Sequence, residues 1–381
     1  MNKRDLVLSL IEPGSSVEYI PAAFFLHFDP AFHRGEAAVL KHLEYFRSTD
    51  MDFVKIQYEH TFPRIPSITR PEDWANIPFY GKDFFEEPLK VVEGLVKAAK
   101  KDALVVMTLY SPFMCAGHTV GDFFLNRHIK ENPEAVKRGM ESITASLMGF
   151  IKQCIRLGLD GFYTSTQGGE FGRFSDPELF DECVRPFDLA LMQEINRSCP
   201  FNILHICDYS LPYHDVTRFT QYPGQVVNCS LDLTGGPVSA KEVSRIFRRP
   251  FMGGMKRKGV ILNGTPDEIR AEVRAVCAEA PQRFILGADC TIPSEVDWEN
   301  LRIAIDTAHA FHSGEDSAYE GAFDVYSKCA GSANTMVVLS ARPQQYKTSM
   351  LVTVFVNMMS DSDAAALDEI MRTFDVIGTL P

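Results

Sequence analysis

The sequence lacks the features of several common protein classes. Its 381 residues carry 38 Lys and Arg against 50 Asp and Glu, a net charge of −12, so no basic excess is available for binding nucleic acid. No apolar run approaches the roughly 18–20 residues of a membrane span. The first apolar stretch is short and meets Glu12 and Pro13, so we predict no signal peptide and a cytoplasmic location.

Paired cysteines and nucleotide-binding glycine motifs are missing as well. The nine cysteines are odd in number and scattered, which predicts free thiols in a reducing compartment. The pairs Gly168-Gly169 and Gly235-Gly236 do not form a dinucleotide fingerprint, and no Walker loop is present. Hydrophobic residues make up 45% of the chain, which excludes disorder as its main state.

What the sequence does contain is a regular alternation of β-like runs and helical stretches. The predicted runs are 20–28, 52–59, 103–110, 161–167, 201–207, 225–232, 251–255 and 283–290. The predicted helices include 36–47, 88–100, 133–157 and a short one near 212–220, with a loop between 110 and 133. Strict alternation implies parallel strands with right-handed crossovers.

Eight such units predict an α/β fold, a (β/α)8 TIM barrel over residues 1–313, with a doubly wound open sheet as the alternative. Residues 314–381 lie outside the eight units. There the pattern predicts strands at 335–340 and 349–358 and a helix at 363–374, a small ββα appendage. We expect this C-terminal extension to be a packing element or a homodimer contact.

In a barrel, chemistry collects at the C-terminal ends of the strands. Burying a polar side chain costs free energy unless it forms hydrogen bonds or serves a function. A set of polar residues at the strand ends therefore predicts that they line a pocket. The polar residues at the predicted strand ends are His27, Glu59, Gln167, Glu170, His205, Cys207, Asp232, Lys256, Asp289 and Cys290.

The sharpest motif is His205-Ile206-Cys207, near the end of the fifth predicted strand. Residues two apart on a strand face the same side, so His205 and Cys207 share one face. Cys290 closes the eighth predicted strand and can reach across the barrel mouth. An imidazole and two thiolates with an open fourth position would make a catalytic zinc site. The alternative is a hydrogen-bonded histidine with two buried cysteines.

The other strand-end residues are candidates for catalysis and substrate binding. Candidate catalytic groups are Glu59 as general acid or base, His118 in a loop that could cap the pocket, and Glu170 after a glycine pair. Candidate substrate-binding residues are His27, Gln167, Asp232, Lys256 and Asp289.

For each of these candidates the alternative is an ordinary turn, helix cap or solvated charge. Asp232 or Asp289 could also orient His205. The carboxylates together predict an acidic site that favours a neutral or cationic substrate.

The stretch Gly253–Pro293, with GGMKRKGVILNGTPDEIRAEV and RFILGADCTIP, resembles the uroporphyrinogen decarboxylase superfamily, and the likeness extends over about residues 1–312. This resemblance implies a (β/α)8 barrel. One branch contains metal-free decarboxylases, and the other contains zinc methyltransferases of the coenzyme M and corrinoid type. His205, Cys207 and Cys290 fall on the zinc pattern of the second branch, an H-x-C motif with a later cysteine.

The decarboxylase branch fits this sequence less well. Its arginine-rich signature follows the first strand, where Leu26 and Pro30 stand here. Those side chains cannot pair with the carboxylates of a porphyrinogen. Glu59 and His118 stand where that branch has an aspartate and a tyrosine.

The resemblance therefore implies a zinc-dependent methyltransferase acting on a thiol or a small methylated compound, with a corrinoid, or a corrinoid protein as partner, for the methyl group. The alternatives are a decarboxylase without metal, a zinc lyase or hydrolase, and a non-catalytic corrinoid- or ligand-binding barrel.

Overall fold

The computed structural model describes residues 2–12 and 19–311, and beyond them the backbone of 336–342, 350–355 and 375–376. The chain divides into two compact units, Met1–Phe311 and His312–Pro381. None of the helices in the described ranges combines the length and hydrophobicity needed to span a bilayer.

The first unit is built on seven parallel strands that are hydrogen-bonded in chain order. The strands are β1 (Phe53–Ile56), β2 (Leu104–Tyr110), β3 (Gly161–Thr166), β4 (Ile203–Ile206), β5 (Val226–Cys229), β6 (Phe251–Met255) and β7 (Phe284–Ala288). Seven of the eight predicted runs thus supply these strands, because each is an apolar segment bounded by polar or turn residues.

Helices connect and flank the strands. They are α1 (Lys3–Ile11), α2 (Gly35–Thr49), α3 (Glu86–Ala99), α4 (Pro112–Val120), α5 (Asp122–Glu131), α6 (Pro133–Arg156), α7 (Glu178–Cys183), α8 (Arg185–Ser198), α9 (Ala240–Phe247), α10 (Val260–Asn263), α11 (Pro266–Glu279) and α12 (Trp298–His309). The connections make the first unit an α/β fold.

The segment 20–28, predicted as the first strand, is not a regular strand. Ala22 and Leu26 make isolated parallel bridges to Leu286 and Ile292. On the other side the Asp52 amide donates to Ala22 O (3.0 Å), while the Asp52 carboxylate accepts the Ala22 amide (2.7 Å). The segment is therefore hydrogen-bonded both to β7 and to the residue before β1. On the β1 side, however, the Asp52 carboxylate takes the place of a backbone acceptor.

Two local predictions are wrong. The stretch predicted as a loop between β2 and α6 contains α4 and α5, because Ser111 caps α4 and Pro112 occupies its first turn. The helix predicted near 212–220 is only a 3₁₀ turn, Thr217–Phe219. The first error matters for the site, because His118 lies on a helix and not in a flexible loop.

In the second unit, β8 (Met336–Arg342) pairs antiparallel with β9 (Met350–Phe355), and β10 (Asp375–Val376) pairs antiparallel with β8. The helix predicted at 363–374 lies outside the described residues.

One buried carboxyl group makes the first unit sensitive to pH. Asp188 on α8 is 1% exposed and accepts hydrogen bonds from Thr166 Oγ1 (2.6 Å) and the Tyr222 hydroxyl (3.2 Å). Burial raises the pKa of Asp188 to about 7. Its Oδ1 has no hydrogen-bond partner among the described residues, and burial outweighs the two hydroxyl contacts that favour the charged form.

We predict that Asp188→Asn stabilises the protein at alkaline pH. The unfolded carboxyl returns to a pKa near 3.8, so the folded state binds its proton more tightly and wild-type stability falls as the pH rises from 4 to 7. Because one pKa unit is worth about 1.4 kcal/mol, the variant should gain roughly 2–4 kcal/mol at pH 8 and little at pH 4. Urea unfolding at both pH values measures this, with the exposed Asp267→Asn as control. A difference that does not vary with pH would contradict it.

Candidate metal centre

β4 brings His205 and Cys207 to one face of the sheet. His205 lies within the strand, paired in register with Ser165 on β3 and Asn228 on β5. The Cys207 amide donates to the carbonyl of Thr166 (3.0 Å), which continues the pairing with β3 beyond the strand itself. Both side chains are buried, as the alternation along an inward-facing strand requires.

Cys290 reaches the same point from β7. Its Sγ lies 4.0 Å from Cys207 Sγ and 3.4 Å from His205 Nε2. One ligand atom from each of these three residues, here called the triad, lies within 4.8 Å of the other two. The structure thus brings together three side chains from two strands that are not neighbours in the sheet.

The triad has the dimensions of a zinc site. Tetrahedral zinc, with Zn–S near 2.3 Å and Zn–N near 2.0 Å, separates two sulfurs by about 3.8 Å and a sulfur from a nitrogen by about 3.5 Å. The observed separations of 4.0 and 3.4 Å match these values closely. Two thiols and one imidazole are also the donor types that zinc prefers. The residues therefore fit the metal.

The pKa values of the Cys207 and Cys290 thiols depend on each other. The hydrogen bond from Cys207 holds the pKa of Cys290 well below its usual value, and the charges of His205 and Arg257 act in the same direction. The hydrogen bond with Cys290, burial and the negative charge of Cys290 raise the pKa of Cys207. At neutral pH the pair is therefore already partly ionised, which suits a metal ligand.

Arg257 clamps the two segments that carry the thiols. Its NH1 donates to Asp208 Oδ1 (2.7 Å) and to Asp289 Oδ2 (3.3 Å), and its backbone amide donates to Asp289 Oδ1 (2.8 Å). Asp208 directly follows Cys207, and Asp289 directly precedes Cys290. One guanidinium group therefore fixes the separation of the two sulfurs.

Two further side chains surround the triad. Gln167, expected to bind substrate, donates from Nε2 to Cys207 Sγ (3.5 Å). The Tyr163 ring lies 4.9 Å from the His205 ring, and its hydroxyl donates to Asn228 Oδ1 (2.6 Å). These contacts hold the ligands, although His205 Nδ1 is buried without a hydrogen-bond partner in the described part of the chain. The prediction that Asp232 or Asp289 orients His205 is therefore wrong.

A row of hydrogen bonds runs from the buried Lys55 to the part-exposed His27 and Glu59. Lys55 Nζ donates to Gln57 Oε1 (2.6 Å), and Gln57 Nε2 donates to His27 Nε2 (3.0 Å). His27 Nδ1 then donates to Glu59 (3.0 Å), which also lies 3.7 Å from His33 Nε2. The His27 side chain is 43% exposed, so the row ends at solvent.

The remaining predicted carboxylates are paired with cations and do not form an acidic ring. Glu170 is buried against Arg173, which donates to both carboxylate oxygens (2.5 and 2.6 Å). Asp232 is exposed and pairs with Lys256 at 2.7 Å. Because Asp289 pairs with Arg257, the expected acidic site and its preference for a cationic substrate are withdrawn, and Glu170 has no free oxygen for catalysis.

His118 lies on α4 rather than in a capping loop. Burial lowers its pKa, and its Nδ1 has no hydrogen-bond partner among the described residues. Its ring lies 5.6 Å from that of Tyr110 at the end of β2. No contact joins it to the triad.

Sequence reasoning missed three residues of this region: Lys55, Gln57 and Arg257. The first two alternate with Glu59 along β1, so a polar face within the run DFVKIQYE was the available signal. Arg257 was visible only as part of a basic turn. The other cysteines in the described ranges are buried and lie apart from the triad: Cys115, Cys154, Cys183, Cys199, Cys229 and Cys277.

A second group of potential ligands comprises Asp50, in the turn after α2, and Asp306 and His309, both on α12. Its charges are already paired. Lys3 and Arg302 contact Asp50, Arg302 also contacts Asp306, and His309 contacts Asp52. This group is an ion-pair network.

Comparisons with known proteins agree with the α/β fold. The family model described as uroporphyrinogen decarboxylase (URO-D) matches residues 50–311. A methylated-thiol–coenzyme M methyltransferase from Methanosarcina mazei is 27% identical over 253 residues, 62% of this chain and 62% of that protein. The aligned part is thus less than two thirds of that relative.

A solved structure has a similar fold. A methyltransferase from Methanosarcina mazei superposes with a TM-score of 0.62 at 14% identity, covering 84% of this chain and 99% of that one. A B12-independent methionine synthase from a Shewanella species has a TM-score of 0.48 at 11% identity, covering 80% and 97%.

The family match includes β1 to α12 and all three residues of the triad, and it spans more than half of the 381 residues. The chain belongs to the uroporphyrinogen decarboxylase family, within which it resembles the methyltransferases.

Proposed function

We propose that the chain is a zinc-dependent methyltransferase that transfers a methyl group to or from a thiol. The observation that carries this proposal is the triad: two sulfurs and one imidazole nitrogen at zinc-like separations, buried at the ends of β4 and β7. The fourth position of a three-ligand site is open to a substrate, which is the arrangement of catalytic rather than structural zinc.

His205, Cys207 and Cys290 would hold the metal. When bound, zinc would supply Lewis acidity that lowers the pKa of a thiol or hydroxyl substrate. Two thiolate ligands make the centre soft, which favours sulfur over oxygen as the incoming ligand. A thiol substrate is therefore the better match to these donors.

The surrounding residues position the ligands and exclude water. Gln167 orients Cys207, Arg257 fixes the thiol-bearing segments, and burial of the triad keeps solvent away from the sulfurs. Glu59 and His27 form a hydrogen-bonded pair at the mouth. Because His27 is part-exposed, this pair can accept a proton released from a substrate and pass it to solvent.

A corrinoid, free or carried by a partner protein, is the methyl donor or acceptor that we propose. The support is the relative named for methylated thiols and coenzyme M, together with the sulfur-rich centre. A tetrapyrrole decarboxylase is less well supported, since Arg257, the guanidinium that contacts the triad segments, is paired with two carboxylates. A zinc lyase or hydrolase would share the centre but would not form a thioether.

Methyl transfer tests the function directly. Zinc-loaded protein given methylcobalamin and 2-mercaptoethanol should produce a thioether and cob(I)alamin, measured by mass spectrometry and by absorbance. Cys290→Ser should lose at least ~90% of this activity because a hydroxyl is a poor zinc ligand. Cys154→Ser, which removes an equally buried thiol on α6, should keep it. A wild-type protein that binds zinc but makes no thioether with any thiol or methyl corrinoid would contradict the proposal.

Metal content should follow the triad. We expect about one zinc per chain in protein purified without chelator, since three preformed ligands bind tightly. Cys207→Ser or Cys290→Ser should reduce it several-fold, as measured by plasma mass spectrometry. Cys154→Ser and Cys199→Ser should leave it unchanged. Loss of zinc in either control that still folds would show that the ligand set is wrong.

Arg257→Gln should weaken zinc binding. Loss of the clamp frees the two thiol-bearing segments, and removal of such supporting groups commonly costs 10–100-fold in metal affinity. Chelator competition measures the affinity, and Arg257→Lys should be intermediate because an ammonium keeps the positive charge but lacks the planar geometry of the guanidinium group. The control is Arg302→Gln, which removes an arginine bridging Asp50 and Asp306. Unchanged affinity in Arg257→Gln would contradict the positioning role.

A further inference from the structure

The proposed mechanism leaves one buried charged group without a task. Lys55 on β1 is 6% exposed, and its Nζ lies 4.5 Å from the Phe25 ring centroid and 4.8 Å from that of Tyr163. Its hydrogen-bond acceptor is Gln57 Oε1, a neutral group. No carboxylate in the described ranges lies within salt-bridge distance of this amine.

An ammonium group buried without a carboxylate at hydrogen-bond distance is costly. Protein interiors hold charges that are paired, and replacing a buried charge with a hydrophobic residue is often neutral or stabilising. The two aromatic faces and one amide compensate only part of the cost. The arrangement therefore points to an anion that arrives when the site is occupied.

The triad is the place where such an anion forms. The Tyr163 ring contacts both the Lys55 amine, at 4.8 Å, and the His205 ring, at 4.9 Å. Burial lowers the pKa of Lys55 to about 7, and the negative charges of Cys290, Glu59 and Cys207 act in the opposite direction. The amine is thus coupled electrostatically to both sulfurs.

The charges of the metal and its ligands show when the centre needs a counter-ion. A divalent metal, two thiolates and a neutral imidazole sum to zero. An anionic fourth ligand makes the centre negative, whereas a neutral ligand leaves it neutral. We propose that Lys55 is the counter-cation for an anionic sulfur ligand at the triad and makes the centre select thiolates over neutral ligands. This rests on the proposed function, and it adds a specificity-determining residue on β1.

The chemistry balances without another reactant. When a thiol binds, its S–H bond breaks, sulfur keeps the electron pair as the new ligand, and the proton leaves to solvent. The new negative charge favours the ammonium form of Lys55. Gln57 and His27 hold the amine in place through their hydrogen bonds. The distances of 4.8 Å from Lys55 Nζ to the Tyr163 ring and of 4.9 Å from that ring to the His205 ring place the amine at most about 10 Å from His205. Two unit charges on the order of 10 Å apart, at an effective dielectric constant of about 20, change a binding constant by roughly tenfold.

Ligand binding to cobalt-substituted protein tests the inference without turnover. The Co(II)-loaded wild type, Lys55→Met and Lys55→Arg are titrated with 2-mercaptoethanol and, separately, with imidazole, and the metal absorbance gives each Kd. We expect Lys55→Met to lose thiol affinity about tenfold or more and imidazole affinity by less than about twofold. Lys55→Arg, which keeps the charge, should retain most thiol affinity.

Lys41→Met is the matched control. The Lys41 amine also lies over two aromatic rings, those of Trp298 and Phe32, but Lys41 is on α2. The Lys41→Met substitution should leave the thiol and imidazole affinities unchanged. Near-UV circular dichroism checks folding, and Lys55→Gln replaces the Met variant should that one not fold. Equal thiol affinity in wild type and Lys55→Met, or a parallel loss of thiol and imidazole binding, would overturn the proposal. A wild type that takes up no cobalt or zinc would instead overturn the proposed function.

Discussion

The site depends on the meeting of β4 and β7 across the interior of the sheet. These strands are three places apart in the sheet order, yet Cys207 and Cys290 lie 4.0 Å apart. Arg257 sets that distance, because it bonds to the residue beside each cysteine. Curvature of the sheet brings the ends of β4 and β7 near one another. The salt bridges of Arg257 then hold the two sulfurs at a fixed separation.

Charge balance is the second constraint. The carboxylates beside the triad contact cations: Glu170 contacts Arg173, Asp232 contacts Lys256, and Asp208 and Asp289 share Arg257. Lys55, by contrast, is a buried amine without a carboxylate partner in the described part of the chain. A centre of this kind is electrostatically complete only after an anionic ligand has joined it, which links the choice of substrate to one side chain on β1.

Much of this was open to prediction from sequence, because alternation along a strand placed His205 and Cys207 on one face and the apolar runs marked β1 to β7. The first predicted strand failed because the Asp52 carboxylate takes the Ala22 amide that a ladder would use. Arg257 lies 49 positions from Asp208 and 32 from Asp289. Contacts at such distances follow from the folded backbone, and no spacing rule in one sequence reveals them.

The central claim is that two sulfurs and one imidazole hold a zinc ion whose fourth position accepts a thiol. X-ray absorption at the zinc edge measures this most directly. The account predicts two Zn–S contacts near 2.3 Å and light-atom contacts near 2.0–2.1 Å, with a third sulfur contact once 2-mercaptoethanol is added. A shell of oxygen and nitrogen alone, or a sulfur count that thiol does not raise, would contradict it.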